Sequence, residues 1–378
     1  MQLTQINLQP QFGGGEVYTA FLCRALDLLG VPTRLIAHPD AIFWDRLDLP
    51  KSTQIDRVTN NEQVLSALPQ EALWLLGHGP LPRQLIDNRN SRWLLTAMAH
   101  MPVQGRNPRS FDDHDMVFPV SNWVREGLIS AGIPTWQEPL YGVSELGDRS
   151  ESSTLKIQSH TRYDWDKRKV RDLLLGKLQP FLEPFVKKST FEKRPGLTLG
   201  IVSRLTPIKQ FPLLFSLLTP ILLRYPAINI EIFGSGGYAS VRDLENVLKP
   251  IANRVRFWGH QDKVSAVYAQ LDYLMTGLPE KEALGLNVIE AQACNLPVLA
   301  IKAPPFNETV SENSSGFFYR DPREDGGSDF SRLLDKLLAL DKPLKPAQAV
   351  AHLSRFSFET FVERVRPIAA WADAEIRK

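Results

Sequence analysis

Cysteine is scarce in this chain, with Cys23 and Cys294 the only two among 378 residues. Both stand in apolar runs with helical spacing, which argues against a disulfide framework and favours a reducing compartment. The chain also lacks an apolar run long enough to span a bilayer. Its first residues, MQLTQINLQPQFGGGE, lack the basic start and apolar core of a signal peptide. We therefore expect a cytoplasmic protein.

An excess of one charge is absent as well. Lys and Arg number 44 against 42 Asp and Glu, and the net charge of +2 gives no sign of a nucleic-acid partner. A hydrophobic content of 43% and a charged content of 23% are those of a soluble globular protein. The length is sufficient for two domains of ordinary size.

Short apolar runs alternate with helical patterns along the chain, which predicts α/β architecture with parallel sheets. Strands are expected first at LTQINL, TRLIAH, ALWLLGH, WLLTAMAH and MVFPVS, and then at LGIVS, NIEIFG, VRFWG, DYLMTG and PVLAI. VYTAFLCRALDLLG has apolar residues at helical spacing, with Gly30 as its stop. Ser121 is the expected N-cap of a helix in SNWVREGLISAG.

Two glutamates border the start of one predicted helix. In GLPEKEALGLNVIEAQACNLPVLA, Glu282 lies in a loop after a strand, and Glu290 lies about one turn inside the next helix. The free amides and positive dipole end of a helix favour a phosphate. Carboxylates beside that position would repel phosphate, so we expect them to accept hydrogen bonds from hydroxyls. Phosphate flanked by hydroxyl acceptors points to a sugar nucleotide.

Two cations follow another predicted strand. In LTLGIVSRLTPIKQF, Arg204 and Lys209 stand in the loop after LGIVS. Open α/β sheets bind ligands beyond the carboxyl ends of their strands. A planar guanidinium fork and an ammonium point charge at that edge suit a diphosphate.

These segments resemble family-4 retaining glycosyltransferases of the GT-B fold. From about Pro195 to Arg320, the chain matches their nucleotide-sugar domain at SRLTPIKQ, IEIFGSGG, VRFWGHQDKVSAVYAQLDYLMTG, the glutamate pair, ACNLPVLA and NETVSENSSGFFY. FGGGEVYTAFLCRALDLLG resembles the glycine-rich opening loop of the same family. The resemblance implies an α/β protein with two Rossmann-like domains that face each other across a cleft.

The same resemblance suggests a division of the chain into an acceptor-side domain, a linker, a nucleotide-sugar-binding domain and a helix that crosses back to the first domain. The corresponding residues are 1–145, 146–194, 195–358 and 359–378. Within the linker, residues 163–188 form a basic amphipathic pattern. This segment either packs on the interdomain surface or makes a peripheral contact with the inner face of the membrane.

The resemblance also implies site residues. Arg204 and Lys209 would bind the donor diphosphate and stabilise the departing nucleotide. Glu282 and His100 would face the donor sugar, and Glu290 would accept from the ribose hydroxyls. The remaining donor-binding residues would act through their backbone, and they are Gly14, Gly15, Gly234, Leu286, Asn287 and Val288.

Each of these residues also has a structural interpretation. The charged side chains could be solvated, the glycines could serve turns, and His100 could be a hydrogen-bonded structural histidine. The chain departs from the family in three places. It has Thr276-Gly277-Leu278-Pro279 where relatives have a Pro-Ser pair, Asn295 where they have Gly, and Ala303-Pro304-Pro305 where they often have a glycine pair.

The implied activity is transfer of a sugar from a nucleoside-diphosphate sugar to a glycan or lipid-linked acceptor. Retention of anomeric configuration, no metal and no cofactor are expected by the resemblance, as is a role in polysaccharide or lipopolysaccharide biosynthesis. Two alternatives remain open. One is another reaction of this fold, such as sugar-nucleotide epimerisation, and the other is non-catalytic binding of a sugar nucleotide.

Overall fold

The computed structural model describes residues 1–69, 71, 73–103, 105–144, 156–165, 176 and 188–378. The chain divides into two compact units. Unit 1 comprises Met1–Ser144 together with Ser354–Lys378, and unit 2 comprises Glu145–Leu353. The expected amphipathic segment 163–188 lies almost wholly outside the described residues, so its proposed membrane contact stays a prediction.

Unit 1 is built on a parallel sheet of six strands in the order β3-β2-β1-β4-β5-β6. Parallel strands covered on both faces are nearly continuous apolar runs, and this explains why most of them were visible in the sequence. The strands are β1 Leu3–Asn7, β2 Thr33–Ala37, β3 Gln54–Arg57, β4 Leu73–Gly77, β5 Trp93–Ala99 and β6 Met116–Pro119.

The helices of unit 1 begin and end at the expected kinds of residue. Ser121 is an N-cap whose hydroxyl accepts from the Val124 amide at 3.1 Å, as predicted. Gly30 takes a left-handed φ of 72° just beyond the first helix. The helices are α1 Gly14–Leu28, α2 Asn61–Ala67, α3 Arg83–Asp87, α4 Asn122–Ser130 and the C-terminal helix Phe358–Ile376, which packs against α1.

Unit 2 has a second parallel six-stranded sheet, in the order β12-β11-β10-β7-β8-β9. Its strands are β7 Leu197–Val202, β8 Ile228–Phe233, β9 Val255–Gly259, β10 Tyr273–Met275, β11 Val298–Ile301 and β12 Gly316–Tyr319. Among its described residues, the helices are α5 Phe211–Leu222, α6 Tyr238–Leu248, α7 Val264–Tyr268, α8 Leu286–Ala293, α9 Phe306–Thr309, α10 Pro322–Asp325, α11 Ser328–Leu338 and α12 Val350–Leu353.

Two hydrophobic clusters cover the opposite faces of the unit 2 sheet. Leu299 of β11 packs in one cluster, and its neighbours Val298 and Ala300 pack in the other. This alternation follows from the pleat of a strand, which sends successive side chains to opposite faces. Helix α8 packs its apolar side, including Val288, into the second cluster. The sheet edge and the start of α8 are thereby held by buried apolar packing.

Residues assigned to the linker by sequence are part of unit 2, and some of those described bond to the rest of it. The His160 amide donates to the Trp258 carbonyl at 2.8 Å, and Tyr163 forms a bridge with Gly236. In the part of the chain that the structure describes, no helix has both the length and the apolar content to cross a bilayer. Cys23 and Cys294 are not joined in a disulfide.

Candidate active site

Lys209 and Glu282 lie next to each other at one edge of the unit 2 sheet. Strands β7 and β10 are parallel neighbours, so the loops that follow them leave the same edge. The Lys209 ammonium donates to Glu282 Oε2 and forms an ion pair with it. Only 23% of the Lys209 side chain and 17% of the Glu282 side chain are exposed. The sequence predicted both residues for one site, but it did not predict that they bond to each other.

Gly277 allows the two loops to approach closely. A Cβ at this position would stand 2.2 Å from the carbonyl oxygen of Lys209, which is far inside van der Waals contact. Any side chain would therefore push the β7 loop away from the β10 loop. The signal in the sequence was the departure at Thr276-Gly277, where relatives were expected to have Pro-Ser.

Arg204 is exposed in the loop after β7. Gly234, at the end of β8, has a φ of 135°, and a Cβ there would stand 1.9 Å from the carbonyl oxygen of Ser203. Its amide donates to the Gly259 carbonyl at 2.7 Å. Gly234 thus serves a close backbone approach beside Arg204, and its amide is already used within the protein.

The start of helix α8 is shaped by Gly285, an N-cap residue with a left-handed φ of 81°. The Val288 amide donates to the Gly285 carbonyl at 2.9 Å, so the prediction of this amide as a phosphate ligand does not fit the structure. Leu286 and Asn287 are the first two helical residues, and their amides have no carbonyl one turn earlier. The Asn287 side chain donates to the Val202 carbonyl at 3.0 Å and fixes the helix start to the end of β7.

Glu290 is largely buried on the same helix. The Tyr268 hydroxyl donates to Glu290 Oε2 at 3.3 Å. Burial raises the pKa of Glu290 to about 7, and the hydrogen bond from Tyr268 opposes this rise. A carboxylate held this far from water is stabilised by any further hydroxyl that donates to it.

The remaining predicted site residues lie in unit 1. Gly14 and Gly15 form the first turn of α1 instead of a loop, because the helix begins three residues before the expected Val17. A Cβ on Gly15 would stand 2.3 Å from Cε1 of His78. The absence of a side chain at Gly15 makes room for the imidazole ring of His78, which follows β4.

His78 belongs to a buried polar cluster that the sequence did not reveal. Its Nε2 lies 3.4 Å from Oε1 of Glu16, a carboxyl that also accepts from the Asn7 amide at 3.3 Å. The His78 and His100 rings are 4.7 Å apart, and Tyr18 stacks edge-on against His100 at 5.0 Å. Asn7, His78 and His100 end or follow the neighbouring strands β1, β4 and β5, which explains why they meet.

Burial lowers the pKa of His78, with Glu16 opposing the shift, and lowers the pKa of His100 well below its usual value. Nδ1 of His78 and Nε2 of His100 are buried, and neither has a hydrogen-bond partner among the described residues. Buried polar atoms are normally paired, so these two nitrogens are exceptions to the usual pattern.

Acidic residues with Asp-x-Asp spacing occur twice, in Asp113-His114-Asp115 and in Asp164-Trp165-Asp166. Asp113 bonds Arg83 at 2.5 Å, Asp115 bonds Arg89 at 2.8 Å, and Asp164 accepts from Ser235 at 2.5 Å. Among the described residues, no group of three or more His, Cys, Asp and Glu is placed to hold a metal ion.

Sequence comparison places a family domain on unit 2. Residues 184–350 match the model of the family described as glycosyl transferases group 1. A GDP-mannose-dependent monoacylated alpha-(1-6)-phosphatidylinositol monomannoside mannosyltransferase of Corynebacterium glutamicum is 29% identical over 200 residues, which are 48% of this chain and 50% of the relative. A D-inositol 3-phosphate glycosyltransferase of Stackebrandtia nassauensis is 30% identical over 36% of this chain and 28% of its own. The chain thus spans half or less of these relatives.

Solved structures match nearly the whole chain. HepE of Anabaena in complex with UDP and glucose superposes with a TM-score of 0.70 at 16% identity, over 98% of this chain and 99% of the other. The pneumococcal O-GlcNAc transferase GtfA in complex with UDP and GlcNAc gives 0.66 at 11% identity, over 98% and 99%. At these identities the likeness establishes the fold, as expected from the sequence. The chain therefore has the two-domain α/β fold of the GT-B glycosyltransferases, and its residues 184–350 match the model of the glycosyl transferases group 1 family.

Proposed function

We propose that this protein transfers a sugar from a nucleoside-diphosphate sugar to a hydroxyl of a glycan or lipid-linked acceptor. The observation that carries the proposal is the meeting of Lys209, Glu282 and the start of α8 at the carboxyl edge of the unit 2 sheet. This edge combines a cation and helix amides for phosphate with carboxylates for hydroxyls.

In the proposed donor complex, Arg204, Lys209 and the amides of Leu286 and Asn287 bind the diphosphate. As the bond from the sugar C1 to phosphate oxygen breaks, negative charge grows on the leaving nucleotide. In that complex the cations and amides that bind the diphosphate stabilise the growing charge. This stabilisation uses groups of the chain itself, so the proposed transfer is independent of a metal.

Glu290 accepts hydrogen bonds from the ribose, and Glu282 accepts them from the donor sugar. His100 of unit 1 is proposed to face the donor sugar, with Gly14 and Gly15 forming the helix start beside His78. The acceptor oxygen attacks C1 on the face that the phosphate leaves, and the departing phosphate oxygen takes the acceptor proton. This proposed course retains the anomeric configuration.

The proposal is supported by what similar proteins are named for. One relative is named for GDP-mannose and another for UDP-N-acetylglucosamine, and two structural neighbours hold UDP. We therefore propose a uridine or guanosine diphosphate sugar as the donor. Lipid-linked acceptors are suggested by relatives that are named for phosphatidylinositol substrates.

The first test is thermal stabilisation by UDP, GDP and their sugar derivatives. A ligand that binds only the folded state raises the melting temperature. We expect one base to stabilise the protein, and we expect Glu290→Ala and Arg204→Ala to lose the effect. Glu126→Ala, which alters an exposed carboxylate of α4, is the matched control and keeps it.

Product analysis with the stabilising donor then identifies the reaction. Transfer requires an acceptor and yields an α-linked product from an α-linked donor. Conversion of the donor without any acceptor would identify an epimerase instead. A folded protein that binds and converts no sugar nucleotide would overturn the proposal.

A further inference from the structure

The two groups proposed to hold different parts of the donor are bonded to each other in unit 2. Lys209 is assigned to the diphosphate and Glu282 to the sugar, yet the ammonium donates directly to the carboxylate. A donor that binds Lys209 must therefore compete with Glu282. This inference rests on the proposed function and concerns which ligands displace Glu282 from Lys209.

Both side chains of the ion pair are largely buried. With 23% of Lys209 and 17% of Glu282 exposed, water compensates poorly for a lost partner. Removing one member of a buried pair is costly because it leaves the other charge unpaired, whereas a fully exposed pair contributes little. The Lys209–Glu282 pair lies between these two cases.

The surrounding backbone keeps Glu282 beside the phosphate position. Its amide donates to the Pro279 carbonyl at 2.9 Å, and Gly277 holds its loop against the Lys209 carbonyl. Helix α8 begins only four residues after Glu282, at Leu286. A diphosphate on Lys209 and the α8 amides would then lie close to the Glu282 carboxylate.

We propose that Glu282 is a specificity-determining residue that makes the site prefer a sugar nucleotide to a bare nucleoside diphosphate. A bare nucleotide takes Lys209 from Glu282 and leaves the carboxylate unpaired beside phosphate oxygens. A sugar nucleotide takes Lys209 as well, but its sugar hydroxyls donate to Glu282 and replace the lost ammonium. The carboxylate therefore penalises the nucleotide that lacks a sugar.

The same competition acts after transfer. Once the sugar has left for the acceptor, Glu282 loses its hydroxyl donors and competes again for Lys209. The ion pair re-forms as the nucleoside diphosphate leaves. Glu282 thereby accelerates product release and limits inhibition by the product.

The test compares dissociation constants by calorimetry for UDP with UDP-glucose and for GDP with GDP-mannose, in the wild type and in Glu282→Gln. The amide is nearly isosteric but cannot hold the ammonium as an ion pair. We expect the variant to bind the bare nucleotide about tenfold more tightly, a value between those of exposed and buried ion pairs. We expect its affinity for the sugar nucleotide to stay equal or fall.

Two further variants locate the effect. Glu245→Gln, on α6, breaks a partly exposed ion pair with Arg162, and both affinities should stay at the wild-type values. In a Lys209→Met background, Glu282→Gln should no longer tighten binding of the bare nucleotide, because no ammonium remains to be released. Circular dichroism confirms that each variant is folded.

Glu282→Gln binding the bare nucleotide no more tightly than wild type does would overturn the inference. An equal gain in the Lys209→Met background would do the same, because the effect would then be general repulsion by the carboxylate. If folded wild-type protein binds none of the four ligands, the proposed function itself fails.

Discussion

Glu290, the carboxylate proposed to bind the ribose, is expected to lower the stability of the ligand-free protein above neutral pH. Its pKa is raised from 4.5 to about 7 by burial. Between these two values the folded chain keeps a proton that the unfolded chain has lost, so stability falls as pH rises through the window. Each pKa unit corresponds to about 1.4 kcal/mol, and the full shift therefore costs about 3 kcal/mol above pH 7.

Glu290→Gln removes this cost because the amide stays neutral and can still accept from Tyr268. The variant should gain little over wild type at pH 5 and roughly 2–3 kcal/mol more at pH 8.5. For a domain of about 200 residues this corresponds to an increase of about 5–10 °C in the melting temperature of unit 2. Scanning calorimetry without nucleotide at the two pH values measures it.

Nucleotide binding should favour the wild type over Glu290→Gln, which is opposite to the stability difference without nucleotide. Added UDP or GDP should stabilise the wild type more than the variant, because the ribose loses its carboxylate partner. Glu126→Gln on the exposed side of α4 is the control and should show no pH-dependent gain. A stability difference between Glu290→Gln and wild type that is the same at pH 5 and pH 8.5 would refute the raised pKa.

Affinity for the nucleotide should rise with pH up to about 7 and then level off, since the ribose hydroxyls favour ionised Glu290. Calorimetry in buffers of different ionisation heat should also detect the proton that Glu290 releases on binding. Gly277→Ala should weaken nucleotide binding and cost about 1–3 kcal/mol of stability, because its Cβ would clash with the Lys209 carbonyl. An unchanged melting temperature and affinity would contradict the close approach of Gly277 to that carbonyl. Unit 1 should lose stability as pH falls below 6.5, because unfolding lets His78 and His100 take up protons. His100→Phe should reduce this loss in thermal melts at acid pH, and an equal loss in the variant and the wild type would contradict the lowered pKa of His100.

The strands of both sheets were predictable where they are buried on both faces. Two edge strands were not assigned from the sequence. Gln54–Arg57 reads QIDR, with a single apolar residue, and Gly316–Tyr319 follows a polar turn and has only four residues. QIDR has too little apolar pattern to be distinguished from a loop. GFFY is mostly apolar, as is the edge strand β6 that the sequence did predict, so its pattern allowed the same assignment.

The residues of the proposed site could be named from the sequence, but their contacts with one another could not. Lys209 and Glu282 are 73 positions apart, and only the strand order places them side by side. The Val288 amide donates to the Gly285 carbonyl because the carbonyl of an N-cap residue accepts the first hydrogen bond of its helix. Glu16 was not singled out in the sequence, where the helix was expected to begin at Val17, and its burial against His78 depends on tertiary packing.

Asn295 shows how a departure from the family pattern was compatible with the fold. It has a left-handed φ of 60°, a conformation that glycine adopts freely and that asparagine tolerates better than most residues. Its side-chain oxygen also accepts from the Ala347 amide at 2.9 Å. The substitution therefore keeps the backbone path and adds a hydrogen bond that glycine could not make.

Unit 1 is discontinuous in the chain, and this has a consequence for its biosynthesis. Its sheet is complete by Ser144, but Ser354–Lys378, including the helix that packs on α1, is synthesised after unit 2. The Ser144 amide donates to the Phe356 carbonyl at 3.1 Å, so the two separated pieces are joined directly. On the ribosome, unit 2 can finish folding before unit 1 does. A nascent chain stalled before residue 354 should therefore leave the α1 surface open to chaperones and proteases.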